Sequence, residues 1–431
     1  MKRELCWLLG VTACSVALLC VGCRTGNQSA SGNEMNAGEA SRNVGVNDAF
    51  AEDVAFLRRH VDTIVLESGE AKVAVVPAYQ GRVMTSTTGA GGSFGWLNKE
   101  TIAEGILAGA EAEGKLQSHI HVFGGEERFW LGPEGGQFGV YFPPGAAFDF
   151  DSWKTPAPID TEPFDVESRS ATEVVFRHNF QVRNHSGTLF EVGVTRRVRI
   201  MRREEIADDL RVPFSDAVRV VGYETENTIW NRGNDPWTRE SGALSIWLLG
   251  MYKHSKETTV VIPTRVGDTS ELGTIVNDEY FGKVPGDRLV ERDNVLYFRA
   301  DGAFRSKIGV TPERALGVAG SYAAESSTLN LVRYERPDQH EGYVNSMWEH
   351  QVEPYSGDAI NSYNDGAPEP GAAPLGPFYE LETSSPAAFL APGAKLRHTQ
   401  RTYHIQGDTQ VLDQLSRRHL RTGLKDIIDS L

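Results

Sequence analysis

Cysteine is missing from the part of the chain that would fold. All four cysteines (Cys6, Cys14, Cys20 and Cys23) lie near the N-terminus. The rest of the chain therefore has no disulfide framework, no cysteine metal site and no thiol nucleophile. Blocks of Lys and Arg are missing as well, and the formal net charge is −15. So acidic a surface repels phosphate backbones, which excludes nucleic acid as a partner. Neither βαβ alternation nor a repeat of fixed period is present, which argues against a parallel α/β fold and a solenoid. No motif asks for a cofactor, and none is expected.

The N-terminus accounts for the cysteines. Lys2 and Arg3 precede an apolar stretch, residues 5–22, that closes at Gly22-Cys23. This is the layout of an export signal. It resembles a bacterial lipoprotein signal, with Cys20 where Leu is usual and Leu19 one place earlier. The resemblance implies removal of residues 1–22, lipidation of Cys23, and a protein anchored to a bacterial membrane in the cell envelope, facing the periplasm or the outside. The other reading is an uncleaved span, for which the stretch is short. Residues 23–45, rich in Gly, Ser and Asn, read as a flexible tether.

Residues 47–60 space Phe50, Val54 and Leu57 on one helical face, with Asp48 as cap. From Val61 the apolar period becomes two, and successive strands follow. Residues 172–201 predict a long hairpin turning at Asn184-His185-Ser186-Gly187. The expected architecture is mainly β, a large antiparallel sandwich over residues 46–407 with few helices. One helix is expected near 99–114 and an amphipathic one at 408–431. Residues 398–405 read as a mostly solvated strand face.

Five stretches carry candidate chemistry. In residues 75–86, Arg82 opens an apolar strand, and a buried or cleft Arg needs an anionic or polyhydroxyl partner. In residues 117–139, His119 and His121 share a face with Glu126, Arg128 and Trp130 close by. Three readings are open there: a metal pair, histidines satisfied in a polar loop, and a sugar site in which Trp130 stacks on a pyranose. Residues 224–254 interleave Asn227, Trp230, Asn231, Trp237 and Trp247, the amide and indole mix that binds sugars, or else core filler, which is the reading for Trp247 inside the apolar run SIWLLGM. Residues 340–371 read as a long loop of the kind that carries function. Its Asp358, Asn361, Asn364 and Asp365 read as a solvated turn cluster rather than a calcium site. Finally, GPFYELETSSPAAFLAPGA (376–394) places Glu380 and Glu382 two apart on a strand, hence on one face.

Taken together, VVPAYQGRVMTS, GGEERFW, TENTIWN and FYELETSSPAAFLAPGA resemble the successive motifs of the galactose-mutarotase-like fold of aldose 1-epimerases and their uncharacterised relatives, over roughly residues 60–405. The resemblance implies a supersandwich of antiparallel sheets with a sugar site in a concave face. It also implies that Glu382 takes the proton from the anomeric hydroxyl. Glu380 would either raise its neighbour's pKa or pair with an Arg such as Arg82. The family's acid is a His, and Asn227 stands at that position here. An amide does not deliver a proton at neutral pH, so His119 or His121 would have to replace it. Two carboxylates this close do not form a standard glycosidase pair. The expectations are acid/base chemistry on a sugar or, as the alternative, glycan binding without catalysis; a structural role at the envelope is the third.

Overall fold

The computed structural model describes residues 48–369 and 371–431. The export segment, Cys23 and the tether lie outside the described residues. A helix spans Ala49–His60; Asp48 Oδ1 accepts from the Ala51 N–H, and Phe50, Val54 and Leu57 are buried.

A small sheet follows, made of β1 (Ile64–Ser68), β2 (Ala71–Val76) and β3 (Arg82–Thr87). The remaining strands are β4 (Arg128–Gly132), β5 (Asp165–Arg169), β6 (Glu173–Arg183), β7 (Leu189–Ile200), β8 (Arg219–Asn231), β9 (Ser245–Lys253), β10 (Thr258–Pro263), β11 (Leu289–Arg292), β12 (Val295–Arg299), β13 (Ser306–Val310), β14 (Val318–Ala323), β15 (Thr328–Tyr334), β16 (Ile360–Asn364), β17 (Phe378–Ser384) and β18 (Lys395–Gln406). They form a ten-stranded sheet, ordered β11-β12-β10-β14-β15-β18-β8-β7-β6-β5, and a five-stranded sheet, ordered β13-β16-β17-β9-β4. Neighbouring strands run antiparallel throughout. The fold is thus mainly β, built of large antiparallel sheets with few helices.

One face of the five-stranded sheet packs on the ten-stranded sheet. Tyr379 Oη and Ser321 Oγ meet at 2.7 Å, and Thr383 Oγ1 donates to Gln400 Oε1 at 2.6 Å. A buried polar chain continues between the sheets. Gln400 Nε2 donates to Glu127 Oε2, Glu127 Oε1 pairs with Arg196 at 2.9 Å, and Arg196 donates to Asn227 Oδ1. These contacts partner Asn227 Oδ1, Gln400 Nε2 and Glu127 Oε2 between the sheets.

Three sequence expectations change. Around 99–114 only Lys99–Glu104 is α-helical, ending at Gly105 with φ +80°, and the rest is turns and a short 3-10 piece. The C-terminal segment is two helices, Thr409–His419 and Leu424–Ile428. Residues 398–405 are not a solvated face. β18 lies between β15 and β8 in the middle of the large sheet, and His398, Gln400, Thr402 and His404 are buried under the smaller one.

Candidate functional site

Glu380 and Glu382 stand on the face of β17 turned away from the large sheet. Residues paired across antiparallel strands share a face. Toward one edge, Glu382 pairs with Leu249 of β9, Leu249 with Arg128 of β4, and Trp247 with Trp130. Toward the other edge, Glu382 pairs with Asn361 of β16, Glu380 with Tyr363, and Tyr363 with Lys307 of β13. One sheet face therefore gathers Arg128, Trp130, Trp247, Lys307, Asn361, Glu380 and Glu382. The residues come from five strands and are far apart in the chain.

The charges are paired in two sets. Arg128 Nη2 donates to Glu380 Oε1 at 2.6 Å, and its guanidinium lies 4.3 Å from the centre of the Trp130 ring. Lys307 Nζ and Trp247 Nε1 each donate to Glu382 Oε2 at 2.9 Å. Lys307 also lies 4.9 Å from the Trp247 ring centre and 5.4 Å from that of Tyr280. Glu382 Oε1 and Trp130 Nε1 are buried and have no hydrogen-bond partner. An orphaned buried polar atom is costly and calls for a reason.

The face is roofed. Glu134, two residues past β4, donates its N–H to Ser346 Oγ, and Gln137 and Gln351 exchange bonds at 2.9 and 3.0 Å. These bonds hold residues 345–351 against 134–137. The approach requires glycine: a Cβ on Gly135 would stand 2.5 Å from the Met347 carbonyl oxygen, and one on Gly136 would stand 2.5 Å from the Gln351 amide. Trp348 then stacks on Trp153 at 5.8 Å, and Trp153 on Tyr141 at 6.1 Å. On the far side, Tyr280 Oη donates to Asp358 Oδ2 at 2.5 Å.

Burial shapes the proton affinities. It pushes Glu380 up to about 7, against the opposing pull of Arg128 and with the Glu382 charge adding to the rise. Glu134 is also raised, chiefly by burial and further by Glu382, although Lys307 and the Trp348 and Trp153 indoles oppose it. Asp358 is pushed up to about 6 by burial, despite the bonds from Tyr280 and Asn277. The face thus holds carboxyl groups of unlike proton affinity around two cations.

The other candidates from the sequence lie elsewhere. His121 uses both nitrogens: Nδ1 donates to Asp160 at 2.9 Å and Nε2 accepts from the Leu107 N–H. His119 donates from Nδ1 to the Trp153 carbonyl and packs on Phe150, behind the roof rather than beside Glu382. Arg82 pairs with neither Glu380 nor a ligand-facing group; it is buried, donates to Gly124 O and Gln80 Oε1, and is brought down to about 9 by burial. Glu126 is buried against Ser86 and His404. Asn227 is held between the sheets by Arg196, since it occupies the inward register of β8. Trp230 lies on the outer side of the large sheet over Gly193, near Arg177 and Lys395. Asn231 pins backbone at Asp235, Leu390 and Gly233. Asp358, Asn361, Asn364 and Asp365 are buried, not solvated, because β16 runs through them. Among the described residues no group of three or more His, Cys, Asp and Glu is placed to hold a metal ion.

Lys307, Glu134, Trp153, Trp348 and Tyr280 were not singled out from the sequence. Lys307 carried one usable signal, a lone cation inside the strand Ser306–Val310. A surface cleft of about 680 Å³ is lined by Arg336, His340, Phe389 and His398, among others, and contains none of these carboxylates.

This arrangement defines a β-sheet protein with a roofed carboxylate and tryptophan face. The chain belongs to a family of unknown function, DUF6786, whose model matches residues 48–431. No curated protein matches it. Among solved structures it is similar to a galactose mutarotase-like protein from Lactobacillus casei, with 12% identity, a TM-score of 0.45, and coverage of 80% of this chain and 100% of that one. It is also similar to a galactose mutarotase related enzyme from Lactobacillus acidophilus, with 9% identity, a TM-score of 0.41, and coverage of 80% and 99%.

Proposed function

We propose that the roofed face binds a pyranose and performs acid/base chemistry on it, interconverting its anomers, in a protein exported and lipid-anchored through Cys23. The observation that carries the reading is the unlike pair on β17. Glu382 is in contact with two donors through one oxygen, whereas Glu380 is pushed up to about 7. One can accept a proton while the other holds one to give.

The reach is suitable. Residues two apart on a strand stand about 6.6 Å apart along it. The anomeric hydroxyl and the ring oxygen are bonded to the same carbon. Glu382 takes the hydroxyl proton through Oε1, Glu380 gives its proton to the ring oxygen, and the carbon–ring-oxygen bond breaks to leave an open-chain aldehyde. Rotation and the reverse steps give the other anomer and restore both carboxyls. Trp130, Trp153 and Trp348 supply rings for the apolar sugar face, and Lys307 and Arg128 supply donors for hydroxyls. In this reading Glu380 takes the acid role for which neither Asn227 nor a neighbouring His is available.

The test is proton NMR of the full-length protein with a panel of free aldoses. Faster exchange between α and β anomeric signals that disappears in Glu382→Gln supports the reading. Exchange unchanged from the buffer rate, with sugar lines still broadened by the protein, rejects catalysis and leaves a glycan-binding protein. That second reading is favoured by His119 and His121, which bind the Trp153 carbonyl and Asp160 instead of standing beside Glu382.

A further inference from the structure

The roofed face leaves the open cleft of about 680 Å³ without a role. That cleft is walled by the segment that follows β17, by the start of β18 and by residues 335–341. Its volume falls within the range of about 300–1,000 Å³ typical of small-molecule sites.

Its buried polar member is His398, which is 2% exposed. The one hydroxyl hydrogen of Thr383 goes to Gln400 Oε1 at 2.6 Å. The same oxygen, 2.8 Å from His398 Nε2, therefore accepts from the ring, and the ring proton sits on Nε2. Nδ1 keeps its lone pair. Among the described residues nothing bonds Nδ1, and it is not sealed from solvent. Burial brings His398 down to about 3, so at neutral pH the ring holds an acceptor at Nδ1 and no proton to give.

The rim supplies donors. His340 Nδ1 accepts from the Gly342 N–H, which puts the proton of the neutral ring on Nε2. Arg397 is paired with Glu226 and Glu335, whereas among the described residues no carboxylate pairs with Arg336. Phe389 and Leu396 add apolar surface. The backbone of the wall is already in use: the Ala387 and Ala388 N–H groups donate to Gly342 O and Leu244 O, and Leu390 O accepts from the Trp237 N–H. A peptide laid along this wall finds no strand edge to pair with. The ligand must instead meet side chains, donating at one point, accepting at others and laying a C–H face on apolar groups.

We propose that this cleft is a second carbohydrate site, which holds a pyranose without reacting it. A sugar hydroxyl donates to His398 Nδ1, other sugar oxygens accept from Arg336 and His340, and the C–H face of the ring lies on Phe389 and Leu396. The site shares no residue with the roofed face, so the two stand or fall separately.

The experiment is NMR of the full-length protein carrying nitrogen-15-labelled histidine, titrated in turn with glucose, galactose, maltose, cellobiose and tetraglycine. Long-range proton–nitrogen spectra show which ring nitrogen carries the proton, and the His398 signals are those missing from His398→Gln. The expected result is the Nε2–H tautomer in the free protein and a saturable shift of His398 Nδ1 with at least one sugar. That shift should persist in Glu382→Gln. In Arg336→Gln, whose parent side chain is exposed, the same sugar should bind about ten-fold more weakly. A shift lost in Glu382→Gln puts the sugar on the roofed face alone and overturns the second site. A shift with tetraglycine and with no sugar overturns the ligand class. No shift with any probe, while anomer exchange proceeds, overturns the cleft and leaves the proposed function standing. A shift without anomer exchange supports the cleft and rejects the catalysis.

Discussion

Glu382 accepts from Trp247 and Lys307 through the same oxygen, at 2.9 Å each, and leaves its other oxygen buried and bare. Glu382→Gln keeps the volume and removes the charge. It should abolish anomer exchange and lower stability by about 1–3 kcal/mol, because Lys307 loses its partner while keeping some access to water. Anomeric NMR and urea melts check the two parts separately.

The neighbouring pair behaves differently. Arg128 and Glu380 are almost fully buried, so removing the Arg leaves a buried carboxyl alone. Arg128→Met should cost about 3–5 kcal/mol, and the added change Glu380→Gln should recover a large part of it. A double-mutant cycle in urea melts gives the coupling.

Stability should also depend on pH through Glu380. Its folded-state affinity, at about 7, lies above the usual carboxyl value, so between about pH 4.5 and 7 the folded state binds more protons than the unfolded one. The stabilising contribution is therefore complete below the unfolded value and is lost as pH rises through 7. Arg128, Glu382, Lys307 and Asp365 are the charges that face it. Melts of the wild type should weaken across that window more steeply than melts of Glu380→Gln. Parallel slopes would contradict the assignment.

The roof rests on aromatic contact. Trp348→Ala removes the ring stacked on Trp153 and adjoining Phe142. It should weaken sugar binding by about ten-fold, or about 1.4 kcal/mol, and leave the melting midpoint within a few degrees of wild type. Titration followed by NMR line broadening measures the first effect, and circular dichroism the second.

Anchoring is tested in cells. Metabolic labelling with an alkyne-bearing fatty acid should tag the wild type, and Cys23→Ala should lose the tag and leave the membrane fraction. Equal labelling of the variant would remove the lipoprotein reading.

Much of the sheet architecture was legible in the sequence because alternation is local. The same period-two rule put Glu380 and Glu382 on one face and marked the hairpin at 184–187. Arg128 and Trp130 were visible as the charged and aromatic members of a candidate sugar site in residues 117–139. Lys307 and Glu134 were not, since nothing local says that β13 and β4 become opposite edges of the sheet holding β17. His119, His121 and Asn227 misled for the same reason. Their residue types suggest chemistry, but Trp153 O, Asp160 and Arg196, their partners in the fold, lie far along the chain and bind them elsewhere. The strand at 398–405 looked solvated because polar residues between two sheets satisfy one another there.

The central claim is that ligand binds at the β17 face. Tryptophan fluorescence, titrated with the sugars, tests it directly, because Trp130, Trp153, Trp247 and Trp348 adjoin that face whereas Trp230 lies on the far side of the large sheet. The account predicts a saturable change in the wild type and in Trp230→Ala that is lost in Glu382→Gln and in Lys307→Met. A change lost in Trp230→Ala and kept in the two β17-face variants would place the ligand elsewhere and contradict it.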